Sequence, residues 1–415
     1  MRNHFTTNRE CHPRLSCMGG LLRQAIVVLT VLTVPAGCSQ RSDRVVDVAV
    51  HPTKPYIVYV VTEEAVYKTR DGGQAWVRLS EGLSRVRVMN VAIDPQLSAN
   101  VFAGTMSDGV YKSPDGGRRW LPRNVGLQKG TISTNVNQLV FHPIDTQTLY
   151  AATTVGVFKS TDGGRSWHER MRDMTEINFI VALAVDPVRP NILYAGTSGG
   201  VYRSVDGADS WTKVNHGLVP EDATMASMAL GVNTLLIDPN DPDIVYAGST
   251  QGLFKTLNGG ASWAKMATAL GQLYVSSLVS TPGNTQLLHM GTSRGMFESQ
   301  DGGRTWTARN DGLNNMNIRA IAMHPTDSQV LYVGTNGGGL FQSQDGGHSY
   351  THLPLVEKLS GRNRAARKSA AFAGRENSRS AIPSRKVQRR EYGNADKPES
   401  LVTARRGRGH SRWLF

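Results

Sequence analysis

One eight-residue phrase recurs seven times between residues 69 and 350, and it restricts the fold more than any other feature. It reads Thr69-Arg-Asp71-Gly-Gly-Gln-Ala-Trp76, Ser113-Pro-Asp115-Gly-Gly-Arg-Arg-Trp120, Ser160-Thr-Asp162-Gly-Gly-Arg-Ser-Trp167 and Ser204-Val-Asp206-Gly-Ala-Asp-Ser-Trp211. It continues as Thr256-Leu-Asn258-Gly-Gly-Ala-Ser-Trp263, Ser299-Gln-Asp301-Gly-Gly-Arg-Thr-Trp306 and Ser343-Gln-Asp345-Gly-Gly-His-Ser-Tyr350. A second mark keeps step: Pro ends an apolar run at 52, 95, 143, 187, 239, 282 and 325, intervals of 43, 48, 44, 52, 43 and 43. Two unrelated marks with one period define a repeat, and such a unit has to stack on its copies to bury its faces.

Each unit parses into four short strands. In the fourth, Ile180 to Val185 is an apolar run ended by Asp-Pro and reads as strand A, because Pro cannot continue a central ladder. Ile192 to Thr197 reads as strand B, Gly200 to Arg203 as strand C and Ser210 to Val214 as strand D. Four strands of about six residues and four connections of about five give the observed period, and about 40 to 50 residues is one four-stranded propeller blade. The fold class expected is all-β, a seven-bladed β-propeller over residues 45–355, closed into a ring because the first and last units carry no polar caps.

The phrase itself reads as a lock on the C-D turn. The carboxylate accepts backbone N–H groups, the glycines supply positive φ, and the Ser or Thr hydroxyl reinforces the turn. Asp71, Asp115, Asp162, Asp206, Asn258, Asp301 and Asp345 are therefore structural rather than catalytic. Trp76, Trp120, Trp167, Trp211, Trp263, Trp306 and Tyr350 are expected to pack over the edge of the next blade.

These phrases resemble the Asp box, or BNR repeat, Ser/Thr-x-Asp-x-Gly-x-x-Trp, with departures at Ala208, Asn258 and Tyr350. Residues 45–355 are similar to the seven-bladed Asp-box propellers, including photosystem II assembly and stability factor-like proteins and sialidase-like repeat proteins. The resemblance implies a non-enzymatic assembly scaffold or, as the alternative, a glycoside hydrolase of the sialidase type. Sortilin-like proteins have ten blades and a Cys-rich module, which seven phrases and a Cys-free core do not match. The same resemblance places the ligand pocket at the axis, on the face of the D-A and B-C connections. Its candidates there are Arg85, Arg87, Asn137, Glu176, Met225, Tyr274, Arg294 and Arg319, with Glu63, Glu64, Asp108, Asn135, Asn178, Ser227, Ser276 and Asn317 beside them. An arginine triad could be assembled from Arg85 or Arg87 with Arg294 and Arg319, around Tyr274 and Glu176. The early Phe/Tyr-Arg-Ile-Pro segment of sialidases is absent, so a protein or glycan partner without catalysis is the expectation.

The interval of 52 marks an enlarged connection, Asn215 to Ala229, where Met225 and Met228 lie beside Glu221 and Asp222 and offer adaptable apolar surface. Trimming Val219 to Ala223 is expected to spare folding and weaken partner capture. No cofactor motif or metal-ligand set is visible. His51, His142 and His324 share a turn position with Asp94, Asp186 and Asp238 and read as turn residues.

The ends differ from the core. Residues 1–38 read as a lipoprotein-type signal: Arg23, the apolar run Ala25 to Val34, then Pro35-Ala-Gly-Cys38, in which Cys38 resembles the lipidated residue of a lipobox although Pro35 departs from its usual aliphatic. Met18 begins a signal of more ordinary length, and residues 39–44 serve as a short linker. Of the net +13, residues 356–415 carry +11 and residues 1–44 carry +4, leaving −2 on the repeats. High basicity thus belongs to the tails and gives the domain no nucleic-acid-binding face. The 356–415 tail reads as disordered, with an anionic surface as its possible partner. Cys11, Cys17 and Cys38 all precede the repeats, so no disulfide or thiolate metal site is available to the core. An exported, envelope-anchored monomer is expected.

Overall fold

A computed structural model of the chain describes residues 44–79, 81–127, 135–174, 179–218, 230–266 and 271–355. They form seven antiparallel sheets of four strands, and in every sheet the strands lie side by side in the order in which the chain makes them. The sheets are blades 1 to 7 and their strands A to D. In blade 4 these are Ile180–Val185, Leu193–Thr197, Gly200–Ser204 and Thr212–Lys213. Strand D is shorter than its sequence suggests, because Ser210 N and Trp211 N are spent elsewhere. The first donates to Asp206 Oδ1 at 2.9 Å and the second to the Arg172 carbonyl of blade 3 at 3.1 Å.

Strand B is buried at every residue in all but blade 6, whose strand B (Asn284–Thr292) is buried over its last five. A neighbouring blade covers each of its faces, which accounts for phrases such as Leu-Tyr-Ala-Gly-Thr with no polar alternation. The glycine in that phrase lets the next inner strand approach. A Cβ at Gly104 would lie 2.8 Å from Val136 Cγ1. The same contact joins Gly334 of blade 7 to Val45 of blade 1, so the seventh blade's inner strand packs on the first. The ring closes without any strand being exchanged between blades.

The aromatic residues of the repeated phrase lie against the preceding blade, not the next one. Trp167, Trp211 and Trp263 donate their indole N–H to the carbonyls of Arg123, Arg170 and Val214 at 2.8–3.0 Å. The reason is a second motif in the D-A connection, Asn124-Val-Gly-Leu127, Asn215-His-Gly-Leu218 and Asn310-Asp-Gly-Leu313. Its middle carbonyl accepts the backbone N–H of the following blade's aromatic (Val125 from Trp167, His216 from Trp263, Asp311 from Tyr350). Seating the connection there draws the ring back over the blade it has just left.

Within the phrase, Ser160 Oγ donates to Asp162 Oδ1 at 2.8 Å, Gly164 N donates to Ser160 Oγ at 2.9 Å and Ser166 N donates to Asp162 Oδ1 at 2.9 Å. Burial works against ionisation of Asp162, Asp206 and Asp345, but the hydroxyl and amide of Ser166, Ser210 and Ser349 outweigh it and hold each carboxyl down to about 2. At Asp301 the Thr305 hydroxyl and amide do the same, again to about 2. A carboxyl whose pKa is depressed by folding stabilises the fold fully above its ordinary 3.8, and that contribution is lost as pH falls through about 2. The thermal midpoint is therefore expected to hold above pH 4 and to drop steeply between pH 4 and 2. A midpoint flat across that window would contradict the lock.

Candidate functional site

Every strand A begins with a bulge. Pairing with strand B skips one residue in each blade, leaving Val46, Met89, Asn137, Val181, Asn233, Ser276 and Arg319 as the extra residues. A bulge re-aims the side chain of the unpaired residue, and here all seven line one cavity of about 310 Å³ bounded by the seven inner strands. The residues that follow them, Asp47, Asn90, Gln138, Ala182, Thr234, Ser277 and Ala320, line it as well, with Tyr274 at its mouth.

Most of the polar groups in this wall join one blade to the next. Asn137 Nδ2 donates to Ile180 O at 2.7 Å, Asn233 Nδ2 to Val275 O at 3.0 Å, and Ser276 Oγ to Ile318 O at 2.7 Å. Asp47, Asn90, Gln138 and Ser277 accept the amides of Val91, Leu139, Leu183 and Ile321 at 2.7–3.2 Å. Asp47 also accepts Asn90 Nδ2 at 3.0 Å. Burial raises the Asp47 carboxyl above its ordinary range, against the pull of the Val91 and Val48 amides and Asn90. Arg319 is different: it is exposed in the cavity and makes no ion pair or side-chain hydrogen bond among the described residues.

Of the residues singled out in the sequence, Asn137, Ser276, Tyr274 and Arg319 come together at the cavity. Arg87 stays on the rim, where Glu63 in the B-C turn of blade 1 binds it at 3.0 Å and Arg44 at 3.5 Å. Arg85 lies in the D-A connection at a φ of 68° and lines a separate, smaller cavity with Arg78 and Leu83. Arg294 sits exposed in the B-C turn of blade 6, between strands Asn284–Thr292 and Gly295–Ser299, outside the cavity wall. The three arginines of the triad thus occupy three different places. Glu176, Asn178, Met225, Met228, Ser227 and Cys38 lie outside the described residues.

The sequence reading missed most of the wall; Asp47, Met89, Asn90, Gln138, Asn233 and Thr234 are examples, and they sit at fixed places one or two positions past the first apolar residue of strand A. That phase is legible once the bulge is known. Around the mouth, Phe179 and Tyr274 precede an inner strand directly, Met316 lies near the start of another, and Met106 stands in a B-C turn. All four are large apolar groups at 40–52% exposure, so the face that carries the charged rim residues Arg87 and Glu63 also exposes apolar surface.

Among the described residues no cluster of His, Cys, Asp or Glu could hold a metal ion. His51 Nδ1 accepts the amides of Thr53 and Lys54 at 3.2 and 3.0 Å, just as Asp94 Oδ1 accepts those of Gln96 and Leu97 at 3.0 and 2.9 Å. His142 and His324 make the same pair of bonds in their own turns. Among the described residues no helix is long and apolar enough to cross a membrane.

Two family models match parts of the chain: photosynthesis system II assembly factor YCF48 over residues 278–371, and sortilin, neurotensin receptor 3, over residues 64–197. The second match falls on repeats of a ring that has seven blades. No curated protein matches the chain. Among solved structures, YCF48 from Cyanidioschyzon merolae is 18% identical with a TM-score of 0.56, over 73% of this chain and 96% of its own. The GH74 xyloglucanase from Xanthomonas campestris is 18% identical with a TM-score of 0.57, over 74% of this chain. The chain spans about half, 52%, of that enzyme's length. The extracellular domain of a putative hybrid two-component system from B. thetaiotaomicron is 16% identical with a TM-score of 0.57, over 74% of this chain and 38% of its own. At these identities the likeness is one of fold. Seven phased phrases, seven four-stranded blades closed into a ring and the two repeat-level family matches make this chain a seven-bladed β-propeller of the Asp-box, or BNR, type.

Proposed function

We propose that the protein is an exported, envelope-anchored binding or assembly scaffold that holds a protein or glycan partner on the face where the axial cavity opens. The observation that carries this reading is the use to which the wall is put. Its one carboxylate among the described residues, Asp47, is committed to Val91 and Asn90, while Arg319, unpaired among the described residues, and the exposed apolar groups of that face remain available to a partner. Retaining and inverting glycosidases need two carboxyl groups at about 5 to 9.5 Å across a substrate. Glu63, on the rim, is engaged by Arg87 and Arg44.

Support for a polypeptide partner comes from the solved complex of YCF48 with a D1 peptide, 16% identical to this chain with a TM-score of 0.55. In a photosynthetic host the role would be that of a photosystem assembly factor. Cys38 supplies the membrane anchor in this reading, and the basic 356–415 tail an additional hold on anionic surfaces; palmitate label surviving Cys38→Ser would remove the anchor. The alternative is a sialidase-type or related glycoside hydrolase, favoured by the xyloglucanase likeness. A panel of fluorogenic sialosides and β-glucans separates the two. No turnover is expected, and turnover that disappears with Glu176→Gln or Tyr274→Phe would overturn the scaffold reading.

A further inference from the structure

Five consecutive junctions between blades share one clamp. In blades 1 to 5 strand C carries Lys68, Lys112, Lys159, Arg203 or Lys255, each 4.7–5.9 Å from the centroid of an aromatic ring on strand B. From there the clamp crosses to the next blade's Asp box. Lys68, Lys112, Lys159 and Lys255 donate to the carbonyls of Gly116, Gly163, Gly207 and Gly302 at 2.8–3.1 Å. At the fourth junction the Tyr194 hydroxyl donates to Gly259 O at 3.0 Å.

Blade 7 lacks this clamp on both sides. At the junction of blades 6 and 7 the two positions hold His289 and Glu298. Both ring nitrogens of His289 are buried without partners among the described residues, and Glu298 turns to Arg309 at 3.1 Å and Gln300 at 2.9 Å. At the junction of blades 7 and 1 they hold Tyr332 and Gln342, which bond each other at 3.0 Å. The facing carbonyl belongs to Gly72, where an added Cβ would meet nothing within 4 Å; at Gly116 it would meet Lys68 Nζ at 2.9 Å.

The junction of blades 7 and 1 lacks a further tie that its neighbour keeps. Ser277 of blade 6 accepts the Ile321 amide of blade 7 at 3.2 Å, whereas the equivalent residue of blade 7 is Ala320, which has no acceptor. The indole N–H of Trp76 is buried without a partner among the described residues, as is that of Trp120 at the junction of blades 1 and 2, so this group does not set the junction apart. Among the described residues this junction is packed chiefly by Val48, Val60, Trp76, Ala320, Tyr332 and Leu340, with an isolated backbone pairing of Arg44 and Asn336.

We infer that the junction of blades 7 and 1 is the seam at which the ring opens, and that its opening takes the axial cavity apart. Val46 and Asp47 line the cavity from one side of the seam and Arg319 and Ala320 from the other. Charge-assisted hydrogen bonds tie four of the five clamped junctions and a tyrosine hydroxyl ties the other; where both are missing, separation occurs at a lower free energy than global unfolding. On the reading of the cavity as the partner site, the seam controls whether that site exists.

Thiol labelling of the full chain under native conditions tests this, with Cys11, Cys17 and Cys38 replaced by Ser. Val60, Ala103, Ala195 and Ala247 occupy the same position of strand B and are all fully buried, each at a different junction. Val60→Cys is expected to react faster than Ala103→Cys, Ala195→Cys and Ala247→Cys, by about tenfold or more against the first two, the factor corresponding to one charge-assisted bond. Gln342→Lys, which puts a cation where Lys68 and its equivalents stand, is expected to bring the Val60→Cys rate down to theirs. The seam is refuted if Val60→Cys reacts no faster than the others, or if Gln342→Lys folds and leaves its rate unchanged. Should Gln342→Lys fail to fold, the ranking of the four thiols alone decides. No partner enters the experiment, so a failed scaffold reading would not disturb it.

Discussion

Trp211→Ala is expected to lower the free energy of unfolding by about 3–5 kcal/mol, the range for deleting a large buried aromatic. The ring is 2% exposed and lies in a cluster with Tyr150, Met174, Leu183 and Tyr202, so it belongs to the packing of blades 3 and 4 together. Its removal also orphans the Arg170 carbonyl, which now accepts the indole N–H at 3.0 Å. Denaturant titration followed by tryptophan fluorescence measures the effect, with the exposed Val77→Ala as a control expected to change little. A loss below about 1 kcal/mol would mean that the aromatic of the Asp box is not what binds successive blades.

Gly312→Ala is expected to be about as damaging, although it adds one methyl group to a surface connection. The added Cβ would lie 2.0 Å from the Tyr350 carbonyl oxygen, at a φ of 81°. Backbone cannot yield there without breaking the Tyr350 N–H bond to Asp311 O, so a loss of about 3 kcal/mol or more is expected from strain and the lost contact combined. Gly72→Ala is the comparison. It has a similar φ of 69° with open space around it, and should cost only the left-handed backbone term, about 1–2 kcal/mol. Equal losses at the two positions would show that conformation alone, and not the seating of one blade's connection on the next, makes these glycines necessary.

The fold was legible because its marks are local and repeated. Asp-box turns such as Ser160 to Trp167, prolines ending strand A and Leu-Tyr-Ala-Gly-Thr runs each report backbone geometry that the neighbouring residues impose. The direction in which the aromatic residues pack was not legible, because it depends on the Asn-x-Gly-Leu connection of the preceding blade. That motif recurs in phase at Asn124, Asn215 and Asn310 and could have been read. The site was legible only in part. Asn137, Tyr274, Ser276 and Arg319 were reached by treating the connections as the ligand face, which also swept in Arg85, Arg87 and Arg294. Cavity residues are set by a bulge, and strand A consequently shows burial with a period of three, as in Val45–Val50, where alternation would be the ordinary expectation for a strand. Nothing in the residue types at 46, 89 or 181 announces an inward-facing position.

The most direct test of the scaffold role is site-specific photocrosslinking in the native envelope. A photoreactive phenylalanine analogue replaces Tyr274, on the rim of the axial cavity, or Val188, in the A-B turn on the opposite face, both of them exposed. We predict a discrete crosslinked partner from position 274, none from position 188, and loss of the 274 product when Arg319 is changed to Glu. Crosslinking that is absent at 274, or equal at the two positions, would contradict a partner held on the cavity face.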